Sequence, residues 1–186
     1  MTTMRIATAL ALALALAGCD QDKATAEPPK PQEITEASIG HFCGMALTEH
    51  AGPKGQIFVA ERKEPVWFAS VRETFAFTML PEEPKRIAAI YVSDMGKATS
   101  WQLPEPGTWI DARKAFYVIG GRRHAGMETD EAVPFGEETR AKAYAAESGG
   151  RIVAFSEMPE DFVLHYGDAE GVAGQNDADH HQARTP

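Results

Sequence analysis

The chain has 186 residues, 27 acidic against 18 basic side chains, a formal net charge of −9 and an apolar fraction of 44%. That length and apolar content suit one domain with a core of its own. The acidic balance argues against a nucleic-acid-binding protein or a basic membrane-surface protein.

Arg5 and the Ala/Leu run over residues 6–17 have the form of an export signal, too short to span a bilayer. Leu16-Ala17-Gly18-Cys19 ends it in the pattern of a bacterial lipoprotein signal. Residues 1–18 are then the signal peptide, and Cys19 is lipidated and becomes the first residue. The alternative is an ordinary secretory signal, which also exports the chain. A diacylated, N-acylated (palmitate-type) Cys19 is a firm anchor, so the domain is expected on the periplasmic side of a bacterial membrane, inner or outer. Residues 19–38 are polar, carry Pro28, Pro29 and Pro31, and read as a flexible to semi-rigid linker.

The ordered domain is expected over residues 39–166, in two halves of about 39–100 and 101–166. Residues 56–61 and 65–68 read as short strands between Gly and Pro punctuation. Ser70-Val71-Arg72-Glu73 has the form of a capping box. Val71, Phe75 and Met79 recur at i, i+4, i+8, which predicts a helix over about 71–80, stopped by Pro81 and Pro84. Residues 87–92 read as a buried strand, and residues 109–111 and 115–119 as further strands. Residues 137–148 read as a helix with Ala141, Tyr144, Ala145 and Ser148 on one face, ended by Gly149-Gly150. Residues 151–155 form a strand and 159–164 a short last helix. Each half thus runs strands, helix, strand, with a Gly-Met pair (Gly44-Met45, Gly126-Met127) ahead of its helix. This predicts an α+β fold of two similar halves. Residues 167–186 have little apolar content and are expected to be a disordered tail.

If the lipid takes Cys19, Cys43 is a lone thiol in an oxidising compartment, which calls for a reason. Cys43-Gly44-Met45 places a thiol and a thioether two residues apart. In an extended segment that spacing puts both on one side, and Gly44 permits an unusual backbone angle. Thiolate and thioether suit the soft Cu(I) ion, whereas zinc gains little from methionine. Met127, in the matching Gly-Met pair, is the chosen third ligand. His50 is a possible accessory ligand, for copper or for a second, harder metal such as Zn. The alternatives are an inert buried thiol at Cys43, packing for Met45 and Met127, and a turn-bonding imidazole at His50. His41, His124 and Met95 are read as non-ligands, Met79 as core, His165 as structural or exposed, and His180 and His181 as incidental in the tail. Gly52-Pro53-Lys54-Gly55 has the form of a rigid docking loop.

Cys43-Gly44-Met45 followed by Glu49-His50-Ala51-Gly52-Pro53-Lys54-Gly55-Gln56-Ile57 resembles the signature of the NosL family. So do Trp67-Phe68, Ser70-Val71-Arg72, Phe75-Ala76-Phe77, Leu80-Pro81-Glu82-Glu83-Pro84-Lys85 and Tyr91-Val92-Ser93-Asp94-Met95. Ala112, Tyr117-Val118, Gly126-Met127 and Ala132-Val133-Pro134-Phe135-Gly136 extend the resemblance over about residues 40–155. It implies two ββαβ units packed into one domain, a topology shared with the organomercurial lyase. It also implies a periplasm-facing lipoprotein that binds Cu(I) through Cys43, Met45 and Met127. The copper would serve assembly of the metal centres of nitrous oxide reductase, with that enzyme and its membrane-bound maturation transporter as partners. His124-Ala125-Gly126-Met127-Glu128 departs from the more glycine-rich run common in the family. A carrier without turnover is expected. The alternatives are a thiol-dependent enzyme, reductase or lyase-like, and a metal-free assembly factor for a membrane transporter. The enzyme reading lacks a second free thiol to act as resolving partner.

Overall fold

A computed structural model describes residues 27–126 and 129–165. The signal segment, Cys19, Met127 and the tail from residue 167 lie outside the described residues.

The first apolar run becomes β1 (Gly55–Val59), which pairs antiparallel with β2 (Val66–Phe68) and β3 (Ile87–Ser93). Between β2 and β3 stands α1 (Val71–Met79). The second unit repeats the order with β5 (Phe116–Ile119), β6 (Val133–Phe135), α2 (Glu138–Ser148) and β7 (Arg151–Ala154). In both units the first strand is central: β2-β1-β3 in one, β6-β5-β7 in the other. This is the α+β architecture of two ββαβ units. One strand crosses the sequence midpoint. β4 (Trp109–Asp111) lies in the second half by position, yet it pairs with β3 and extends the first sheet to four strands. A short helix, α3 (Glu160–Leu164), closes the chain against α1.

The predicted capping box forms with one change. Ser70 Oγ accepts from Glu73 N at 3.1 Å, but Glu73 Oε2 reaches past Ser70 to accept from Ala69 N, also at 3.1 Å. Val71 and Phe75 enter the core and Met79 packs at its edge, as their spacing predicts. Ile57, Phe68 and Ile90 of the first sheet meet Tyr117, Ile119 and Val153 of the second in one shared core. Each such side chain contributes roughly 2 kcal/mol by leaving water. A smaller cluster of Val118, Val133, Phe135 and Ala141 lies between the second sheet and α2.

The units also exchange carboxylates. Glu131, just before β6, sends Oε1 to the amides of Val71 and Arg72, both at 3.1 Å, at the start of α1. With Ser70 on Glu73 N, the three first-turn donors of α1 are all satisfied. In the other direction Asp94, just after β3, accepts from Gly136 N at 2.9 Å, beside the start of α2. Met95 N donates to Pro134 O of β6 at 2.9 Å.

Two expectations change. The linker was expected to run to residue 38, but ordered contacts begin at Pro29, whose carbonyl accepts from Tyr91 Oη at 2.8 Å. Gln56 bonds both the amide and the carbonyl of Gln32, each at 2.9 Å, and Glu33 accepts from Gly107 N and Trp109 Nε1. Gln56 is fully buried on β1, and an extended Pro-rich segment has free backbone groups to satisfy it. The Gly-Met pairs are also not equivalent. Gly44-Met45 precedes β1, whereas Gly126 lies between β5 and β6.

Candidate metal centre

Cys43 sits in a tight loop closed by backbone bonds. Ile39 bridges Ala46, Gly40 N donates to Met45 O, and Gly44 N donates to Gly40 O, both at 2.9 Å. The loop is seated on β2 by His41 N on Trp67 O at 2.8 Å. Gly44 turns the chain at φ +69°, a region that favours glycine. Cys43-Gly44-Met45 is therefore a left-handed turn and not the extended segment the spacing suggested. The two sulfur residues flank the bend. Cys43 is a free, half-buried thiol. A Cβ placed on Gly40 would fall 2.5 Å from Cys43 Sγ and 3.8 Å from Ala69 Cβ, so the thiol lies over Gly40 close to Ala69. Met45 is 40% exposed, and it shares that property with Ile39 at 46% and Phe42 at 42%. Among the described residues these are the exposed large apolar side chains, and all three belong to the loop.

His50 follows a single 3-10 turn (Leu47–Glu49) anchored by the buried Leu47. Its imidazole is only 6% exposed, and Nε2 has no hydrogen-bond partner among the described residues. It lines a small cavity with Ala69, Ser70, Glu73, Ala125, Gly126 and Thr129. The last three belong to a hairpin held by the His124–Asp130 bridge and by Ala125 N on Thr129 O at 2.8 Å. A Cβ on Gly126 would stand 2.8 Å from Ala51 N and 3.0 Å from His50 Cα, so only glycine allows this approach. The fold thus brings residues from the two chemistry-bearing stretches to one cavity, 76 positions apart at His50 and Gly126. Ala69 joins that cavity to the Cys43 loop. Met127 follows Gly126 in the chain but lies outside the described residues.

The other candidates are engaged elsewhere. His41 Nε2 contacts Glu83 Oε1 at 2.8 Å, and its ring packs edge-on against Phe42 and Phe77. His124 Nδ1 faces Asp130 at 3.5 Å. Met95 packs on the smaller cluster, and His165 contributes a carbonyl to Arg72. His180 and His181 lie outside the described residues. Among the described residues no three His, Cys, Asp or Glu side chains converge as a metal cluster.

Behind the cavity lies a buried charged group that sequence reading missed. Gly52-Pro53-Lys54-Gly55 is not an exposed docking loop. It is buried, and Lys54 is 0% exposed with Nζ on Gly52 O at 2.5 Å. The Lys54 amide donates to Ser93 Oγ at 3.1 Å, and its carbonyl accepts from Ser93 N at 3.0 Å, so β3 holds the segment down. Burial lowers the Lys54 pKa to about 8, against the pull of Glu131 and Glu73. Burial raises Glu131 to about 8, opposed by the backbone amides and by Lys54. Glu73 is also held up by burial, with Ser70, Ala69, His50 and Lys54 working against it. The one available signal was Glu73, visible as a cap. Its proximity to Lys54 and Glu131 is a product of the tertiary fold.

Loop, cavity and topology can be set beside known proteins. The NosL family profile matches residues 31–163. The chain belongs to the NosL family. It is 42% identical over 164 residues to the copper-binding lipoprotein NosL of Achromobacter cycloclastes, spanning 88% of this chain and 84% of that protein. Against the copper-binding lipoprotein NosL of Stutzerimonas stutzeri the identity is 35% over 143 residues, 77% of this chain and 73% of that one. The crystal structure of the copper chaperone NosL from Shewanella denitrificans superposes with a TM-score of 0.68 at 30% identity, covering 72% of this chain and 98% of that one. The NosL match contains the Cys43 loop, the 124–130 hairpin, and Gln32 and Glu33 of the segment that covers the first sheet.

Proposed function

We propose that this chain is a copper carrier, held by lipidated Cys19 on the periplasmic side of a bacterial membrane. The observation that carries the reading is the free Cys43 thiol on a left-handed turn beside an exposed Met45 thioether, in a NosL family member. Cys43 and Met45 hold Cu(I), and Met127, the residue after Gly126, supplies a third sulfur. A soft d10 ion accepts such a low coordination number and such a donor set. The neutral thioether is the natural first ligand to yield, so an acceptor's donor atom can enter before the thiolate lets go. The ion then passes by stepwise exchange and is not released to solvent.

The copper is destined for the metal centres of nitrous oxide reductase, and the membrane-bound maturation transporter of that enzyme is the intermediate partner. The exposed apolar rim of Ile39, Phe42 and Met45 is the surface on which an acceptor would close. The test is Cu(I) competition with a chromogenic chelator. The purified chain takes up about one tightly held ion, as a single thiolate-centred site requires, and Cys43→Ala abolishes tight binding. Unchanged affinity in that variant defeats the proposal.

His50 favours a second reading that coexists with the first. A buried Nε2 without a hydrogen-bond partner among the described residues, on a side chain that lines a cavity with Glu73, suits a harder ion such as zinc. Two donors fall short of a full set, so exogenous groups or the ligands of the copper site would complete it. Zinc uptake by the copper-loaded chain that disappears in His50→Ala supports this reading, and uptake unaffected by that change removes it.

A further inference from the structure

Glu131 has no part in the copper reading, yet it is 2% exposed and joins two elements that line the cavity, α1 and the 124–130 hairpin. Its Oε1 accepts from Val71 N and Arg72 N at 3.1 Å and from Ala132 N at 2.8 Å, while Oε2 has no hydrogen-bond partner among the described residues. The first pair of bonds fixes the start of α1, where Ser70 and Glu73 form one wall. The bond to Ala132 fixes the outgoing limb of the 124–130 hairpin. The incoming limb, Ala125 and Gly126, lies on His50 and Ala51 and forms the other wall. One side chain therefore ties the outgoing end of the hairpin to the start of α1, and so holds Ala125 and Gly126 between α1 and the segment that carries His50. Lys54 and Glu73 are the charged side chains that act on it.

We infer that Glu131 is a positioning residue of the copper site, one that fixes the spacing between the Cys43–His50 segment and the 124–130 hairpin without touching the ion. This rests on the copper reading above. A site assembled from two stretches so far apart in sequence depends on contacts outside the ligands for its geometry. Disturbing such contacts lowers metal affinity by roughly 10- to 100-fold in well-studied sites.

The test uses the mature chain in two measurements, Cu(I) affinity by chelator competition and the sulfur coordination number from copper X-ray absorption. Glu131→Asp keeps the charge but shortens the side chain, pulling the carboxylate away from the amides of α1. It is expected to lower affinity by about 10- to 100-fold and to reduce the sulfur count. Glu131→Gln keeps the length and an accepting oxygen, and is expected to restore both readings. Asp94→Asn perturbs the opposite carboxylate contact. It should lower the unfolding temperature and leave the copper spectrum as in the wild type. A wild-type spectrum and affinity in Glu131→Asp overturns the inference, as does an equal loss in Asp94→Asn. If Glu131→Asp does not fold, Gly126→Ala displaces the hairpin from the other side. A changed sulfur count there supports the inference and an unchanged one overturns it. Cys43→Ala, measured alongside, separates the two proposals. Unchanged affinity in Cys43→Ala defeats the copper reading itself, whereas loss in Cys43→Ala with none in Glu131→Asp defeats only the positioning role.

Discussion

The Cys43 loop and the Lys54 cluster reverse the usual placement of side chains in opposite directions, and they meet around Ala69. The loop turns Ile39, Phe42 and Met45 outward, while Lys54, Glu73 and Glu131 are taken inside. Three large apolar side chains exposed on one loop make the kind of patch that marks an interaction surface. Buried charges are expensive unless each is matched. Their return here is a fixed relation between α1, the segment after β1's approach, and the hairpin. On the copper reading, the difference separates the part of the site that an acceptor would meet from the part that holds its shape.

The largest effect expected from breaking that contrast is on the buried side. Lys54→Met leaves two carboxylates without their cation and should destabilise the fold by about 3–5 kcal/mol. Denaturant unfolding near neutral pH reads the loss. Next comes the pH profile of the unmodified chain. Glu131 holds its proton in the fold up to about pH 8 but releases it near 4.5 when unfolded, so stability falls as pH rises between those values, and Glu73 adds in the same direction. Lys54 loses its proton near pH 8 in the fold but keeps it to about 10.5 when unfolded, so stability recovers above pH 8. A minimum in unfolding temperature near pH 8, flattened on its acid side in Glu131→Gln, is the expected result. A smaller effect follows from Gly44→Ala, which places a Cβ at φ +69° and should cost about 1–2 kcal/mol. Nothing lies within 4 Å of that Cβ, so the loss is conformational and Cu(I) affinity should fall with it. Smallest is Phe42→Ser. Thermal unfolding should move by no more than the equivalent of about 0.5 kcal/mol, while copper transfer to an acceptor slows. A large loss of stability there would show that the exposed rim belongs to the fold after all.

How much of this could be read from sequence varies element by element. α1 was legible because Ser70 and Glu73 mark its start and Val71, Phe75 and Met79 its inner face. β6 was not, because Pro134 sits in its middle; the strand tolerates it as an edge whose outer carbonyl is taken by Met95 N. The segment from Pro29 to Glu33 reads as linker by composition, and its contacts with Gln56, Tyr91 and Trp109 come from strands far along the chain. Cys43 and Met45 were singled out by their chemistry, but their turn was mistaken for extended chain because Gly44 permits both. Lys54 and Glu131 were invisible for a different reason. A buried charge is recognisable only with its partners, and these are supplied by helix and hairpin from opposite halves of the chain.

The exchange of Glu131 for Asp94 has a consequence for how the chain comes into being. Before the second unit has folded, the leading amides of α1 lack the Glu131 carboxylate, 60 residues beyond Val71, and Asp94 lacks the Gly136 amide. Each unit therefore takes one contact from the other, an acceptor for the first turn of α1 and an acceptor for the amide just ahead of α2. Contacts closed over such long loops are expected to make folding slow, in the manner of other long-range topologies. The 124–130 hairpin lies on His50 and Ala51, so the cavity exists only once both halves of the chain are in place.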